Sequence, residues 1–440
     1  MGKKITQILL FLLGLQLLLN FAQVFTPEIG FDALWYHLTL PKLWLLKHQY
    51  YFSGGLLYYS AMPRLTEIIF TPLLYYFGAT GPKFLQFISG VGILLVMRKI
   101  LSTRSIGRAY QIIAFSLFYS TWLVSWESSS AYIDLFRSFL EILALYFFLE
   151  DKKLFGSLFL GLALGTKWIS IISLAIYSFI FGIGIILPVI FFALPWFLIA
   201  YYYTGNPVYP LFSSILQNGF QKPINALINI SLAPVRFTFP FDDFISPLVG
   251  LIFIFLVFSL FVLKKNDLKI ALIGFFGFIS TLFLDPSSSR FLLPYLPVAI
   301  IAFIIFFHNY FLKYTKVLML LSLVSAITIT SLRIYSVKKY LPYLQKKQTQ
   351  NELLTALSSR LPDTFIDSDN FVAKNLPGNA LYLIDNLHNL YYFPYNFDHT
   401  SWADKTKNYD YLVTKNQDPA KIEGSLLHTN SVGIQVYKLK

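Results

Sequence analysis

The chain has 440 residues, of which 56% are hydrophobic and only 13% charged, and it contains no cysteine. A soluble domain carries about 25% charged residues and has no surface for so many Phe and Leu, so a water-soluble globular protein is excluded; without cysteine, so are disulfides and thiolate chemistry. A net charge of +13 would point to nucleic acid in a soluble chain, but in an apolar one basic residues mark cytoplasmic loops, and no nucleic-acid partner is expected.

The apolar residues form runs of about 15–22, the length that crosses a bilayer as helix. The first, 5–25, follows Lys3-Lys4 and precedes no small-residue cleavage site, so it reads as an uncleaved span with a cytoplasmic N-terminus. Residues 26–83 form a long outer loop, in which Thr66–Ala79 is apolar but too short to cross and reads as a helix dipping into the interface. Parity agrees, because a crossing there would put Arg98, Lys99, Arg104 and Arg108 outside. Spans 84–97 and 109–123, a short outer loop Ser125–Asp134 and span 135–149 return the chain to a cytoplasmic turn at Glu150–Lys153.

The stretch 154–203 requires three short helices, since two would place Lys264, Lys265 and Lys269 outside. Spans 244–263, 270–284, 291–308 and 317–332 bring the expected total to eleven. From Arg333 onward charge rises, with a short helix at Asn351–Leu361 and strands at Ala380–Asp385, Tyr409–Thr414 and Gly433–Leu439. The expected architecture is an all-α, multi-pass protein of the plasma (inner) membrane. Its transmembrane domain is 1–332, and 333–440 form a small extracytoplasmic α/β domain.

Under this topology the polar residues gather on one side. Glu28, Asp32, His37, Lys42, Arg64, Glu67, Glu127, Asp134, Lys167, Arg236 and Arg290 all fall at or near the outer face. Ionisable groups at membrane depth cost several kcal/mol unless paired or wet, so the cluster predicts a polar cavity opening outward. Asp32 follows the first span closely and sits at the water–lipid boundary; capping the helix that starts at Ala33 is its alternative role. Asp134, Arg137 and Glu141 are spaced to pair along one helix face. Lys167 could equally snorkel from a helix end, and Arg290 could anchor a span.

These residues stand in motifs. Asp32 is followed by Tyr36-His37-Leu38 and Pro41-Lys42, and Pro63 and Glu67 lead into the dipping helix. Then come Tyr132-Ile133-Asp134-Leu135, the run from Gly161 to Lys167, Pro195-Trp196, the turn from Thr204 to Pro210, and Ser289-Arg290-Phe291 with Pro294. In this order they resemble the GT-C glycosyltransferase superfamily, nearest to bacterial phospholipid-carrier-dependent glycosyltransferases, which are related to protein O-mannosyltransferases and the aminoarabinose transferase of lipid A. The likeness covers roughly residues 1–310. Ala33 stands where the common form has a second acid beside Asp32, and the tail matches nothing comparable.

The resemblance implies a donor sugar on a polyprenyl phosphate and an acceptor hydroxyl at the outer face, with inversion at the anomeric carbon. Asp32 would be the base. Arg64, Lys167 and Arg290 would receive the phosphate, Arg being suited by its two-pronged donor geometry. His37, Lys42, Glu67, Glu127 and Asp134 complete the expected substrate-binding set. No cofactor is required; a divalent ion, if the reaction uses one, would fall to Asp32 and Asp134. The sugar and the acceptor (glycan, lipid or protein) stay open. An outer-face ligase or polymerase of lipid-linked saccharides would need the same cavity. A transporter would normally show repeated halves, which this chain lacks.

Overall fold

A computed structural model of the chain describes residues 2–213, 223–236, 238, 248–284, 288–417 and 422–439. Each apolar run carries a helix. The first is α1 (Gly2–Val24), and the long loop after it holds a π-helical turn at Ala33–His37, then α2 (Thr39–Lys47) and α3 (Leu65–Phe77). Next come α4 (Thr80–Ser102), α5 (Arg108–Tyr119), the short α6 (Trp122–Glu127) and α7 (Asp134–Leu149). The stretch 154–203 does divide into three, α8 (Lys153–Thr166), α9 (Ile171–Phe181) and α10 (Ile186–Thr204).

Two short helices, α11 (Pro223–Ser231) and α12 (Ala233–Arg236), precede α13 (Val249–Val262) and α14 (Lys265–Thr281). The start of the expected span 244–263 and the side chain of Arg236 lie outside the described residues. The bundle closes with α15 (Leu296–Tyr310) and α16 (Thr315–Lys338).

Among the described residues, four helical stretches are long and apolar enough to cross a membrane unaided: Gly2–Val24, Thr80–Ser102, Ile183–Thr204 and Leu312–Lys338. A bilayer core of about 30 Å needs about 20 helical residues, and the other bundle helices fall short of that. Length and composition alone mark those four as spans, and the expected count of eleven needs the shorter apolar helices to cross as well. The multi-pass character stands on both sides of that difference.

Helix α15 is apolar all round and every residue from Leu296 to Phe307 is buried, which makes it the axis of the bundle. Around it, α10 and α16 turn Leu187, Phe191, Leu198, Val317 and Val324 outward, the pattern of a lipid-facing surface.

The tail adds α17 (Leu341–Leu344), α18 (Gln350–Ala356) and α19 (Phe371–Asn375). It also adds strands β1 (Tyr382–Ile384), β2 (Phe397–His399), β3 (Tyr411–Lys415), β4 (Gly424–Thr429) and β5 (Ile434–Leu439). They form one sheet in the order β2-β1-β3-β5-β4, parallel at β1 and antiparallel from β3 onward. Three strands lie where the sequence pattern put them. The edges β2 and β4 escaped notice, one because it is three residues long and the other because it exposes Leu426 and Leu427 instead of alternating. The helix expected at 351–361 is shorter, ending at Ala356 before a 3₁₀ turn at Ser358–Arg360.

This domain does not hang free. Tyr36, Leu40, Leu43 and Trp44 of the first loop share one apolar core with Phe365, Leu390, Phe393 and Phe397. Lys42 is sunk into the junction and donates to the backbone carbonyls of Tyr391, at 2.6 Å, and Phe393. Burial pulls its ammonium down to about 8. Lys47 pairs with Asp398 at 2.9 Å, and the Tyr392 hydroxyl donates to the Glu28 carbonyl at 2.7 Å. The first loop is thus held between the bundle and the tail domain.

Candidate active site

The loop that carries Asp32 is stapled at its root. The Glu28 carboxylate accepts from the amides of Ile29 and Gly30, at 2.8 and 2.7 Å, and from Ser130 Oγ and the Ala131 amide, at 3.0 and 2.6 Å. One side chain so ties the end of α1 to the loop before α7. Gly30 permits the closeness, because a Cβ there would collide with the Tyr132 ring. Tyr132 in turn accepts from the Asp32 amide at 3.3 Å. Asp32 precedes the π-helical turn, a local form often found at functional sites, and its side chain makes no capping hydrogen bond.

Instead Asp32 faces Arg290, which arrives from a 3₁₀ turn at Ser289–Leu292, just before α15. Arg290 Nη1 donates to Asp32 Oδ2 at 2.6 Å, and the guanidinium lies 4.8 Å above the Tyr132 ring. The same nitrogen is 3.9 Å from Asp134 Oδ2. Burial pulls the Arg290 pKa down, but the carboxylates of Asp32 and Asp134 outweigh it and hold the group firmly charged.

Asp134, at the first turn of α7, also takes Lys167 Nζ at 2.9 Å. Lys167 is placed by the glycine-rich α8: Gly161 and Gly165 let α10 approach until Phe192 and Trp196 press on the helix. The chain then turns extended at Lys167, which points its amine at Asp134 and over the Phe291 ring at 5.5 Å.

A charge chain of Asp32, Arg290, Asp134 and Lys167 results. Its depth is graded. The Asp134 side chain is fully buried, whereas Asp32, Lys167 and Arg290 keep 16, 17 and 22% of their side-chain surface exposed. Those three are the members a ligand can touch. Tyr36, whose hydroxyl is 3.4 Å from Asp32 Oδ2, stacks on Tyr59 at 4.2 Å and walls one flank.

Below Asp134 the chain continues inward. Arg137 donates to Glu141 at 2.9 Å, and Glu141 accepts from Ser170 and Ser173 at 2.8 and 2.5 Å. Ser173 meets the Tyr295 hydroxyl at 2.7 Å. Arg137 and Glu141 so neutralise one another, a condition under which buried ions persist.

The other expected residues lie elsewhere or deeper. His37 and Glu67 form a closed pair at 2.6 Å with essentially no exposure, joining the π-helical turn to α3. Arg64 is buried, its Nε donating to the Ser60 carbonyl at 2.7 Å. Lys42 is the latch to the tail domain. Glu127 is fully buried with neither carboxyl oxygen hydrogen-bonded among the described residues. Burial first, and Asp134 second, push its carboxyl well above the usual range against the pull of Arg290 and Lys167. Sequence reading missed Tyr36, Tyr132 and Tyr295 as site residues, although the first two stand inside quoted motifs. Among the described residues no three His, Asp or Glu side chains gather as a metal site, and the nearest oxygens of Asp32 and Asp134 already face cations.

No protein-family model matches this chain, and no curated protein matches it in sequence. Its fold does have relatives. It is similar to the crystal structure of ArnT from Cupriavidus metallidurans bound to undecaprenyl phosphate, with a TM-score of 0.66 and 97% of both chains covered at 11% identity. The apo state of the same protein gives a TM-score of 0.64 over the same coverage. ArnT is the lipid A aminoarabinose transferase, a GT-C glycosyltransferase, and the present chain shares that fold over nearly its whole length, tail domain included.

Proposed function

We propose that the protein is a membrane glycosyltransferase that moves a sugar from a polyprenyl-phosphate carrier to an acceptor hydroxyl at the extracytoplasmic face. The observation that carries this is the Asp32–Arg290–Asp134–Lys167 chain, in which one carboxylate and two cations reach the surface together. Its support is twofold: the ArnT-like fold, with a structure of ArnT bound to undecaprenyl phosphate, and the chemistry of the donor. A sugar phosphodiester already has an adequate leaving group. Transfer needs a base for the acceptor and positive charge for the departing phosphate.

In this reading Arg290 and Lys167 take the phosphate, and the ion pair with Asp32 holds the guanidinium ready before the donor arrives. The acceptor oxygen attacks the anomeric carbon as its proton passes to Asp32. The bond from that carbon to the phosphate oxygen breaks, and its electron pair leaves with the lipid phosphate. One displacement inverts the anomeric centre. Asp134, buried between the two cations, sets their spacing. In this orientation the N-terminus is cytoplasmic, and the tail domain covers the first loop from outside.

The test is mass spectrometry of lipids that co-purify with the full-length protein, followed by titration with undecaprenyl phosphate. A bound polyprenyl phosphate is the expected result. Protein that carries none, and takes up none when it is offered, would remove the donor assignment. Comparing a lipid-linked monosaccharide with an oligosaccharide as donor separates a transferase from a ligase or polymerase.

A further inference from the structure

The segment from Arg333 to Lys347 carries five cations, Arg333, Lys338, Lys339, Lys346 and Lys347, and no acid. Only the first is used inside the protein. Arg333 is buried and donates to Asn20, Gln23 and Ser129 at 2.5–3.1 Å. Lys339 lies over the Tyr340 ring at 4.9 Å, while Lys338, Lys346 and Lys347 are exposed. None of the four lysines is ion-paired among the described residues.

Their position is set by the helix before them. Leu312–Lys338 is long and apolar enough to span a bilayer, and near its end Leu332, Ile334 and Tyr335 are exposed, as Leu341 is just beyond. Apolar side chains on that surface face lipid, so lysines immediately past them stand at headgroup level. There the chain forms a cleft of about 600 Å³, lined by Lys346 and Lys347 with Phe25, Tyr343 and Leu344. Glu352, the acid on its lining, accepts from the Thr349 amide at 2.8 Å in the capping box of α18.

Setting topology does not account for these charges. In the orientation proposed above, this is the extracytoplasmic end, where the positive-inside rule disfavours lysine. Four lysines at that end call for an anion on that side. An aromatic and aliphatic floor with an ammonium rim matches the headgroup and first acyl carbons of an anionic phospholipid. We propose that this cleft, with Lys338 beside it, binds an anionic glycerophospholipid of the surrounding bilayer.

A lysine near an anionic surface strengthens binding by roughly fivefold. The probe is spin-labelled phosphatidylglycerol against spin-labelled phosphatidylcholine, offered to the full-length protein in phosphatidylcholine nanodiscs. Wild type should prefer phosphatidylglycerol, and the preference should weaken as salt rises. Lys338→Gln, Lys346→Gln and Lys347→Gln together should reduce it at least about tenfold. Lys347→Gln alone, at an exposed position, should reduce it by roughly fivefold and guards against misfolding of the triple variant. A matched triple, Lys264→Gln, Lys265→Gln and Lys269→Gln at the opposite end, should leave it unchanged. Equal binding of the two lipids by wild type, or a preference that survives the first triple, would overturn the site, as would one lost in the second. The readout is independent of sugar transfer, so it stands or falls apart from the catalytic reading.

Discussion

Asp32→Asn is the substitution that separates chemistry from architecture. The backbone at Asp32 is ordinary right-handed helix (φ −63°, ψ −33°), which Asn adopts without strain, and the side chain caps nothing. Asn also keeps an oxygen for Arg290 Nη1, now 2.6 Å from Asp32 Oδ2. The structural loss is the step from an ion pair to a hydrogen bond in which only the guanidinium is charged, about 1 kcal/mol, which is a small change in thermal stability. The chemical loss is larger. A carboxamide cannot accept the acceptor's proton, and a general base contributes about 10²–10⁴ in rate, equivalent to at least about 2.7 kcal/mol of barrier. The purified variant should therefore fold, bind undecaprenyl phosphate near the wild-type level, and transfer sugar at least about a hundredfold more slowly. Transfer is read as product formed from lipid-linked donor in proteoliposomes, binding by intrinsic tryptophan fluorescence. Wild-type turnover in Asp32→Asn would refute the base assignment, and Glu127 or Asp134 would be tested next.

Arg290→Ala should weaken undecaprenyl phosphate binding roughly ten- to hundredfold, and Arg290→Lys should recover only part, since one ammonium replaces neither the fork nor the stack on Tyr132; complete recovery by Lys would reduce Arg290 to an anchor. A protease-cleavable reporter fused after Lys440 should be digested in intact right-side-out vesicles, and protection would reverse the orientation argued from the basic clusters. His399 supplies a pH prediction for the tail domain. Burial lowers it to about 4 against the opposing pull of Asp385, and its Nδ1 accepts from the Ser401 amide at 3.1 Å. The unfolded chain binds the extra proton between pH 4 and the ordinary value of 6.5, so stability rises with pH across that window. It is fully present above 6.5 and is lost toward 4, by at most about 3 kcal/mol. Hydrogen exchange around 397–402 should follow this slope in wild type and flatten in His399→Gln; equal slopes would clear His399 of the effect.

Much of this protein is written locally. Whereas the three-way split of 154–203 follows from the topological parity that Lys264, Lys265 and Lys269 impose, a helix in an apolar run, the short helix after Arg64 and the strands around Tyr382, Tyr411 and Ile434 all follow from hydropathy and period, which a neighbourhood of some ten to twenty residues expresses. The i,i+4 pair of Arg137 and Glu141 is legible for the same reason, because helical spacing alone brings them within reach. Single polar residues in an apolar chain announce Asp32, Asp134, Lys167 and Arg290 as candidates, since each would be costly if unpaired.

Which of those residues meet is another matter. Arg290 reaches Asp32 across 258 positions, and Lys42 reaches the carbonyl of Tyr391 across 349. Lys42, Arg64, Lys167 and Arg290 read alike in sequence as substrate-binding cations. Only packing turned Lys42 toward two backbone carbonyls and Arg64 toward another, while Arg290 and Lys167 stayed at the rim. The crossing number is likewise a tertiary property, because helices shorter than the bilayer depend on their neighbours for depth and tilt. Hydropathy measures what a segment leaves water for. Partner, depth and exposure depend on what the rest of the chain places against it.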